Sequence, residues 1–315
     1  MVFKVLGGMA VTVSICSLIA LWYFQRDLIY PSNVPEKSRE NVDLPTRYNM
    51  PHFEDVKIKT DDGVTIRGYL ITRESPGESK KAHTLVYLHA NAGNMIFVVG
   101  TTTPKLSFPI NNYNWLMNID IPFHSILGDV WLRGKKGVFL GSEYGLSEGK
   151  ASEDGIKKDV DAAIQYLRSH PLVSESKFIL YGQSIGGAVA IDTAARYQSE
   201  VSGLILENTF TSLPDIFSSL MPYLRTFKFM VCEKWNSKEQ IKSIKKIPIL
   251  FLAGGKDELV PPIHMTKLYN VALAYSENEV EFHSFPEGNH NDTCTQAGYF
   301  ERVLRWWIKY FEKQD

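Results

Sequence analysis

A serine set between glycines is the feature of the sequence that most directly suggests chemistry. Gly182-Gln183-Ser184-Ile185-Gly186 follows the apolar run FILY and precedes the alanine-rich run IGGAVAIDTAAR. A strand, a tight turn and a helix in this order would raise the Ser184 hydroxyl above a sheet, and a side chain at the glycine positions would clash with the turn. A serine hydroxyl needs a base to become a nucleophile, so the chain must supply a base and a group that orients it.

An aspartate and a histidine follow Ser184 in the chain order that suits nucleophilic catalysis by serine. Asp257 comes after the apolar run ILFLAGG, and His290 comes between the run VEFHSF and the last predicted helix. Both would lie just past the C-terminal end of a strand, where open α/β sheets place their sites. His290 is the candidate general base and Asp257 its orienting acid. Each residue also has a non-catalytic alternative: Ser184 as an ordinary turn residue, Asp257 as a helix cap and His290 as a solvated loop residue. The order of all three along the chain and their places after strands favour the catalytic interpretation.

Other acids and histidines remain as reserves for these roles. Glu207 follows the predicted strand GLILE and is the alternative acid. His264 would lie in the helix after Asp257 and is a weaker candidate base, while His283 lies inside a strand and is interpreted as structural.

An acyl-transfer site also needs two N–H donors for the oxyanion. The backbone N–H of Ile185, directly after the nucleophile, is the first candidate. The second would come from the loop after the run TLVYLH, where we favour the N–H of Asn91, with Ala90 as the alternative. An ordinary glycine-containing turn is the structural alternative for that loop.

Strand-like and helix-like segments alternate after residue 150. Apolar residues at helical spacing lie at 156, 160, 163, 164 and 167, and short apolar runs recur at 178–181, 203–206, 249–253 and 280–285. Helices are predicted at 185–197 and 297–311, and a hairpin at 56–71 around Asp61-Asp62-Gly63. This alternation predicts an α/β fold with a mostly parallel sheet and helices on both faces. Residues 209–247 are predicted to form a small helical cap over the site, or else an extra helix packed on the core.

Composition excludes several classes of function. The 315 residues carry 34 basic and 35 acidic side chains, which is unlike the basic footprint of a protein that binds nucleic acid. Three cysteines, with no CxxC and no Cys/His cluster, predict neither a disulfide framework nor zinc. No GxxxxGK[ST] loop is present. We therefore expect no metal, no nucleotide and no other cofactor.

The N-terminal segment predicts a membrane anchor. Residues 5–24 contain no charged side chain, and 20 helical residues of about 1.5 Å each would just cross a core of about 30 Å. We predict a single-pass transmembrane helix at 1–26, a linker at 27–52 and a catalytic domain at 53–315. A cleaved signal peptide and a buried helix are the alternatives for the first segment. The expected location is the endoplasmic reticulum or the plasma membrane. The basic residues after the span favour a cytoplasmic domain.

Several stretches together resemble a known family. HANAGN, YGLSEGKASEDG, YGQSIGGAVA, ENTFTSLP, GGKDELVPP and GNHNDT occur in that order and resemble the membrane-anchored α/β hydrolases of fungal bud-emergence type. The resemblance implies an α/β-hydrolase fold, an N-terminal anchor, the triad Ser184, Asp257 and His290, and hydrolysis of acyl esters or thioesters. Related branches include protein depalmitoylases, so a lipidated protein is a candidate substrate by analogy.

Residues 96–143 depart from the family pattern. The family typically continues after HANAGNM with a helix and a central strand, whereas this stretch has three prolines and no sustained helical period. Only short strand fragments are predicted, at 130–132 and 138–140. We hypothesise a retained intron, a frame-shifted exon or a gene-model error that replaces a core helix and a central strand. The alternative is a lineage-specific insertion that still supplies the strand.

The expected function is therefore a membrane-bound serine hydrolase of acyl esters or thioesters. Two alternatives remain: a catalytically inactive membrane scaffold and a serine peptidase, both on the same fold. The abnormal stretch 96–143 gives the scaffold some weight, and the triad chemistry alone does not separate ester from amide cleavage.

Overall fold

The computed structural model describes residues 2–31, 44–48, 51–72, 76, 83–88, 90, 123–127, 147 and 149–311. The described strands form one eight-stranded sheet in the order β1-β2-β4-β3-β5-β6-β7-β8. The strands are β1 Phe53–Lys59, β2 Thr65–Ile71, β3 His83–Leu88, β4 Phe123–Leu127, β5 Phe178–Gln183, β6 Val201–Glu207, β7 Ile249–Gly254 and β8 Val280–Phe285.

Helices precede the sheet and connect most of its later strands. The α-helices are α1 Val2–Ile29, α2 Glu153–Ser169, α3 Ile185–Arg196, α4 Leu213–Leu220, α5 Ser237–Gln240, α6 Ile263–Tyr275 and α7 Tyr299–Phe311. Short 3₁₀ helices lie at Pro45–Tyr48, Pro222–Met230, Ile241–Ser243 and Thr293–Thr295.

The sheet is parallel from β3 and β4 through β8, and β1 and β2 join it as an antiparallel hairpin. Alternate residues of one strand face different layers, as the pleat requires. In β5, Phe178 and Leu180 belong to one apolar cluster, whereas Ile179 and Tyr181 belong to the other. Helices α2, α3 and α6 cover the first face and α7 covers the second. The predicted α/β fold with helices on both faces is confirmed.

Helix α2 buries the apolar side chains whose helical spacing predicted it. The Ser152 hydroxyl accepts a hydrogen bond from the Gly155 N–H at 3.1 Å and so caps the N-terminus. The apolar residues at helical spacing, Ile156, Val160 and Leu167 among them, are buried on one side of the helix. Each such side chain contributes about 1.5–3 kcal/mol when it leaves water.

Strand β4 corrects the sequence interpretation of residues 96–143. Phe123–Leu127 pairs in parallel with β3 and antiparallel with β2, so this stretch supplies a strand in the middle of the sheet. The expectation that the sheet lacks a strand here is wrong, while the origin of the stretch stays a hypothesis. The strand escaped prediction because FHSIL has neither a long apolar run nor regular alternation; the open edges of β2 and β3 provide its pairing. The fragments predicted at 130–132 and 138–140 lie outside the described residues.

The apolar N-terminus forms the helix α1, which ends where Tyr30 is buried against the domain. Within the described part of the chain, no helix combines the length and apolar character needed to cross a bilayer. The transmembrane helix at 1–26 therefore stays a prediction. Most of the linker predicted at 27–52 lies outside the described residues.

Candidate active site

Ser184 occupies a strained turn between β5 and α3. Its backbone has φ 56° and ψ −124°, and a positive φ is uncommon for any residue but glycine. The turn is tight: a Cβ added to Gly182 would lie 2.2 Å from the Gly186 carbonyl oxygen. The predicted glycine requirement therefore has a direct steric cause at Gly182.

Neighbouring groups on β6 and just after it hold the turn in place. The Ser184 N–H donates to the Glu207 carbonyl at 2.9 Å, and the Thr209 hydroxyl donates to the Ser184 carbonyl at 2.6 Å. Gly187 makes room for this contact, because a Cβ there would lie 2.4 Å from the Thr209 Cβ. Neither Gly187 nor Thr209 was predicted from the sequence to have a role in the turn.

The three candidate catalytic residues come together in one chain of hydrogen bonds. His290 Nε2 lies 3.0 Å from the Ser184 Oγ, and His290 Nδ1 lies 2.7 Å from the Asp257 Oδ2. All three residues are buried, with exposed fractions of 4–6%. With its proton on Nδ1, the imidazole donates to the carboxylate and accepts from the serine hydroxyl, which is the arrangement that a general base requires.

Hydrogen bonds from neighbouring groups hold both Asp257 and His290 in position. The Asp257 Oδ1 accepts hydrogen bonds from the N–H groups of Leu259 at 3.0 Å and Val260 at 2.8 Å, which leaves Oδ2 for His290. The His290 carbonyl accepts from Asn208 Nδ2 at 3.1 Å, and Asn208 Oδ1 accepts from the Gly254 N–H at 2.8 Å. Asn208 therefore ties the ends of β6 and β7 to the histidine loop.

A buried polar network lies behind this loop. Glu207 Oε2 accepts hydrogen bonds from the hydroxyls of Tyr181 and Tyr299, both at 2.5 Å. Burial raises the pKa of the Glu207 carboxyl, and burial together with the Glu207 charge raises the pKa of both tyrosines well above its usual value. Glu207, the reserve acid, thus binds tyrosines rather than the imidazole of His290.

An apolar cavity of about 380 Å³ opens directly at Ser184 and His290, a volume within the 300–1,000 Å³ range of small-molecule sites. Its walls come from α1, from α4 and the 3₁₀ helix Pro222–Met230, and from the loop after β7. None of the described lining residues is an Asp, Glu, Lys or Arg. The reactive groups therefore face a mostly apolar space without charged side chains among the described lining residues.

Comparisons with known proteins identify the family. A model described as the dienelactone hydrolase family matches residues 143–312. Protein bem46 of Schizosaccharomyces pombe is 41% identical over 304 residues, which cover 96% of this chain and 92% of that protein. The chain is a bud-emergence-type α/β hydrolase.

Two further comparisons agree with this membership. The uncharacterized membrane protein YNL320W of Saccharomyces cerevisiae is 33% identical over 305 residues, 96% of this chain and 95% of that protein. The solved structure of the Pyrococcus furiosus esterase Pf2001 has a TM-score of 0.64 at 18% identity, covering 86% and 95% of the two chains, which shows the shared fold. The family resemblance is confirmed, and it supports hydrolase activity as the general chemistry of this chain.

The oxyanion donors of this bud-emergence-type hydrolase are described only in part. Ile185 is the first residue of α3 and lines the cavity, and the first N–H groups of a helix have no acceptor within that helix. Asn91 lies outside the described residues. Ala90, the alternative donor, is buried two residues after the end of β3.

Two other histidines of this bud-emergence-type hydrolase make their described contacts with groups other than Ser184. His264 is buried on α6, where Nδ1 lies 2.9 Å from the Thr211 hydroxyl and Nε2 lies 3.0 Å from the Ser219 hydroxyl. Burial lowers the pKa of His264, and its contacts tie α4 to α6. His283 lies on β8 beside Glu281. Among the described residues, no group of three or more His, Cys, Asp or Glu side chains could hold a metal ion.

Asn208 and Glu233 are functional candidates that the sequence analysis missed. Asn208 has φ 45° and lies in the stretch ENTFTSLP, so the family resemblance contained a signal for it. Glu233 is buried between α1 and the start of α2, and no local pattern marks it.

Proposed function

We propose that this chain is a membrane-associated serine hydrolase that cleaves acyl esters or thioesters. Ser184 is the nucleophile, and His290 is first the general base and then the general acid. Asp257 orients the His290 imidazole and stabilises its positive charge. The single observation that carries the proposal is the buried hydrogen-bond chain from Asp257 through His290 to Ser184, opening on an apolar cavity.

The first half of the reaction acylates the serine. The Ser184 Oγ attacks the acyl carbonyl carbon while its proton moves to His290 Nε2, and the carbonyl oxygen becomes an oxyanion. The N–H of Ile185 stabilises this charge together with a second donor, for which Asn91 remains the candidate. His290 then gives its proton to the leaving alkoxide or thiolate as the carbon–oxygen or carbon–sulfur bond breaks.

The second half returns the serine. A water molecule attacks the acyl-Ser184 carbonyl while His290 Nε2 takes one of its protons. The second tetrahedral intermediate collapses, the bond from carbon to the Ser184 Oγ breaks, and His290 returns the proton to that oxygen. The product is a carboxylic acid, and Asp257 stabilises the imidazolium in both halves.

Membrane association is proposed through α1. Residues 5–24 carry no charge, and several apolar side chains of α1, including Val13, Ile19 and Tyr23, are exposed to solvent. Uncovered apolar surface of this kind favours a lipid environment. A 33%-identical relative is called a membrane protein. The endoplasmic reticulum and the plasma membrane are the candidate locations, and proteins carrying a fatty acyl thioester are candidate substrates.

The test is labelling of the full-length protein in detergent by a fluorophosphonate probe. We expect the wild type and the exposed-serine control Ser199→Ala to be labelled, and Ser184→Ala to lose labelling while its circular dichroism is unchanged. A folded wild type that is not labelled would support the inactive scaffold. Cleavage of a peptide panel faster than an ester and thioester panel would replace the proposal with the peptidase.

A further inference from the structure

Helix α1 contributes one wall of the cavity at Ser184. Its lining residues are Leu18, Leu21, Trp22, Gln25, Leu28 and Ile29. They recur at intervals of three and four, so they form one stripe along the helix. The same helix presents other apolar side chains to solvent, such as Tyr23, which is 72% exposed. The two faces of this apolar helix therefore have different neighbours.

A buried carboxylate fixes the end of α1 to the domain. Glu233 Oε1 accepts a hydrogen bond from Arg26 Nε at 2.8 Å, and Glu233 Oε2 accepts from the Tyr30 hydroxyl at 2.9 Å and from the Glu153 N–H. The Tyr30 hydroxyl in turn accepts from Trp235 Nε1 at 2.9 Å. A carboxylate that is 3% exposed is stable only with such partners, so its contacts set the position of α1.

A second carboxylate holds the segment that carries Glu233, residues 231–236 between the 3₁₀ helix Pro222–Met230 and α5. Glu153 Oε2 accepts from the N–H groups of Lys234 at 2.6 Å and Trp235 at 2.9 Å. Glu153 begins α2, which packs in the main core. The position of α1 is thereby coupled to α2 and through it to the main core.

The composition of the walls limits what the cavity can hold. Gln25, Ser184 and His290 are the polar members of the described lining. Four apolar residues that line the cavity are also half exposed to solvent, and so lie at its mouth. Their exposed fractions are 51% for Trp22, 63% for Leu28, 50% for Leu220 and 56% for Leu259. The mouth is therefore apolar as well as the interior, which suits a hydrocarbon chain and disfavours a charged or peptide-like group.

We propose that the stripe of α1 completes a binding site for a long acyl chain, and that Glu233 is the positioning residue that holds this wall. This proposal rests on the proposed function, since it names the acyl part of the same substrate. Leu21 and Trp22 contact the chain, while Ser184 meets its carbonyl. Each methylene buried in such a site is worth about fourfold in affinity, so α1 makes long chains better substrates than short ones.

The test compares acetate and laurate esters of p-nitrophenol on the full-length protein. We expect Trp22→Ala to lower the laurate-to-acetate ratio of kcat/KM about tenfold, equivalent to about 1.4 kcal/mol. Tyr23→Ala removes a neighbouring aromatic ring from the exposed face and should leave the ratio unchanged. Glu233→Gln should shift the ratio in the same direction as Trp22→Ala, through KM for laurate. Equal ratios in the wild type, Trp22→Ala and Tyr23→Ala would overturn the proposal.

A binding assay separates this proposal from the catalytic one. A fluorescent long-chain fatty acid is titrated into Ser184→Ala, which does not turn over, and into the same variant carrying Trp22→Ala or Tyr23→Ala. We expect weaker binding only with Trp22→Ala, by about tenfold. If the wild type hydrolyses no ester but this pattern holds, the proposed function fails and the acyl site stands. If all variants bind alike, the acyl site fails whatever the enzyme hydrolyses.

Discussion

The catalytic loops and the cavity wall are built in different ways. Ser184, Asp257 and His290 each lie just beyond a parallel strand, and directional hydrogen bonds of 2.7–3.0 Å hold them in register. The wall places α1 beside residues about 200 positions later, such as Met230 and Val231, and the side chains that face the cavity there are almost all apolar. Hydrogen bonds to Glu233 hold the helix from outside the cavity. Hydrogen bonds at the loops should set the rate for every substrate, whereas packing at the wall should set which chain is preferred.

The largest expected effect comes from Asp257→Asn, which tests this division at the loops. The amide no longer favours the imidazole tautomer with its proton on Nδ1, so kcat should fall by about 10⁴-fold. The loss should be the same for acetate and laurate esters, because the carboxylate acts on the proton transfer and not on the chain. Steady-state kinetics with both esters measure it.

The control for this change is Glu258→Gln, an exposed neighbour that should keep wild-type rates. A loss in Asp257→Asn that grows with chain length would break the division, because the catalytic loop would then also shape the wall.

Gly182→Ala tests how tightly the catalytic turn is packed. The new Cβ would meet the Gly186 carbonyl oxygen at 2.2 Å, and backbone cannot move aside without disturbing α3. We expect the free energy of unfolding to fall by about 3 kcal/mol or more. Chemical denaturation in detergent, followed by circular dichroism, measures the change.

The matched variant is Gly63→Ala in the β1–β2 turn, where φ is 85° and nothing lies within 4 Å of the added Cβ. The added Cβ meets no neighbouring atom, so only the strained backbone should lower the free energy of unfolding, by about 1–2 kcal/mol. A loss in Gly182→Ala no larger than that in Gly63→Ala would mean that the backbone around Gly186 relaxes and that close packing does not hold the catalytic turn.

Glu207→Gln should have a smaller effect, and it tests the buried polar network that lies behind the catalytic loops. Burial raises the pKa of Glu207, so the folded chain keeps this proton to a higher pH than the unfolded chain. The stability of the wild type should therefore fall as the pH rises from the ordinary Glu pKa of about 4.3 through the raised value. The variant lacks this dependence and should differ from the wild type by about 1–3 kcal/mol at most.

Urea unfolding at about pH 5 and about pH 8 measures this slope, and Glu277→Gln, on an exposed side chain, should retain it. A variant that keeps the wild-type slope would mean that another buried group carries the pH dependence.

The parallel sheet and the three candidate catalytic residues could be predicted from the sequence, with Glu207 left as the alternative acid. Apolar runs at strand length and a glycine-bounded serine are local signals, and parallel strands bring their carboxyl ends to one edge. Ser184, Asp257 and His290 could thus be found one loop at a time, and the structure brings those loops within hydrogen-bond distance of each other.

The surroundings of those residues could not be predicted from the sequence. The pairing of β4, the contact of Asn208 with the His290 loop and the hold of Glu233 on α1 each join segments that are distant in the chain. Their physical basis is burial and hydrogen bonding between such segments, which leave no repeating pattern in either one. The apolar stripe of α1 is the clearest example of what the sequence could not predict, because a helix face that lines a cavity has the same composition as one that faces lipid.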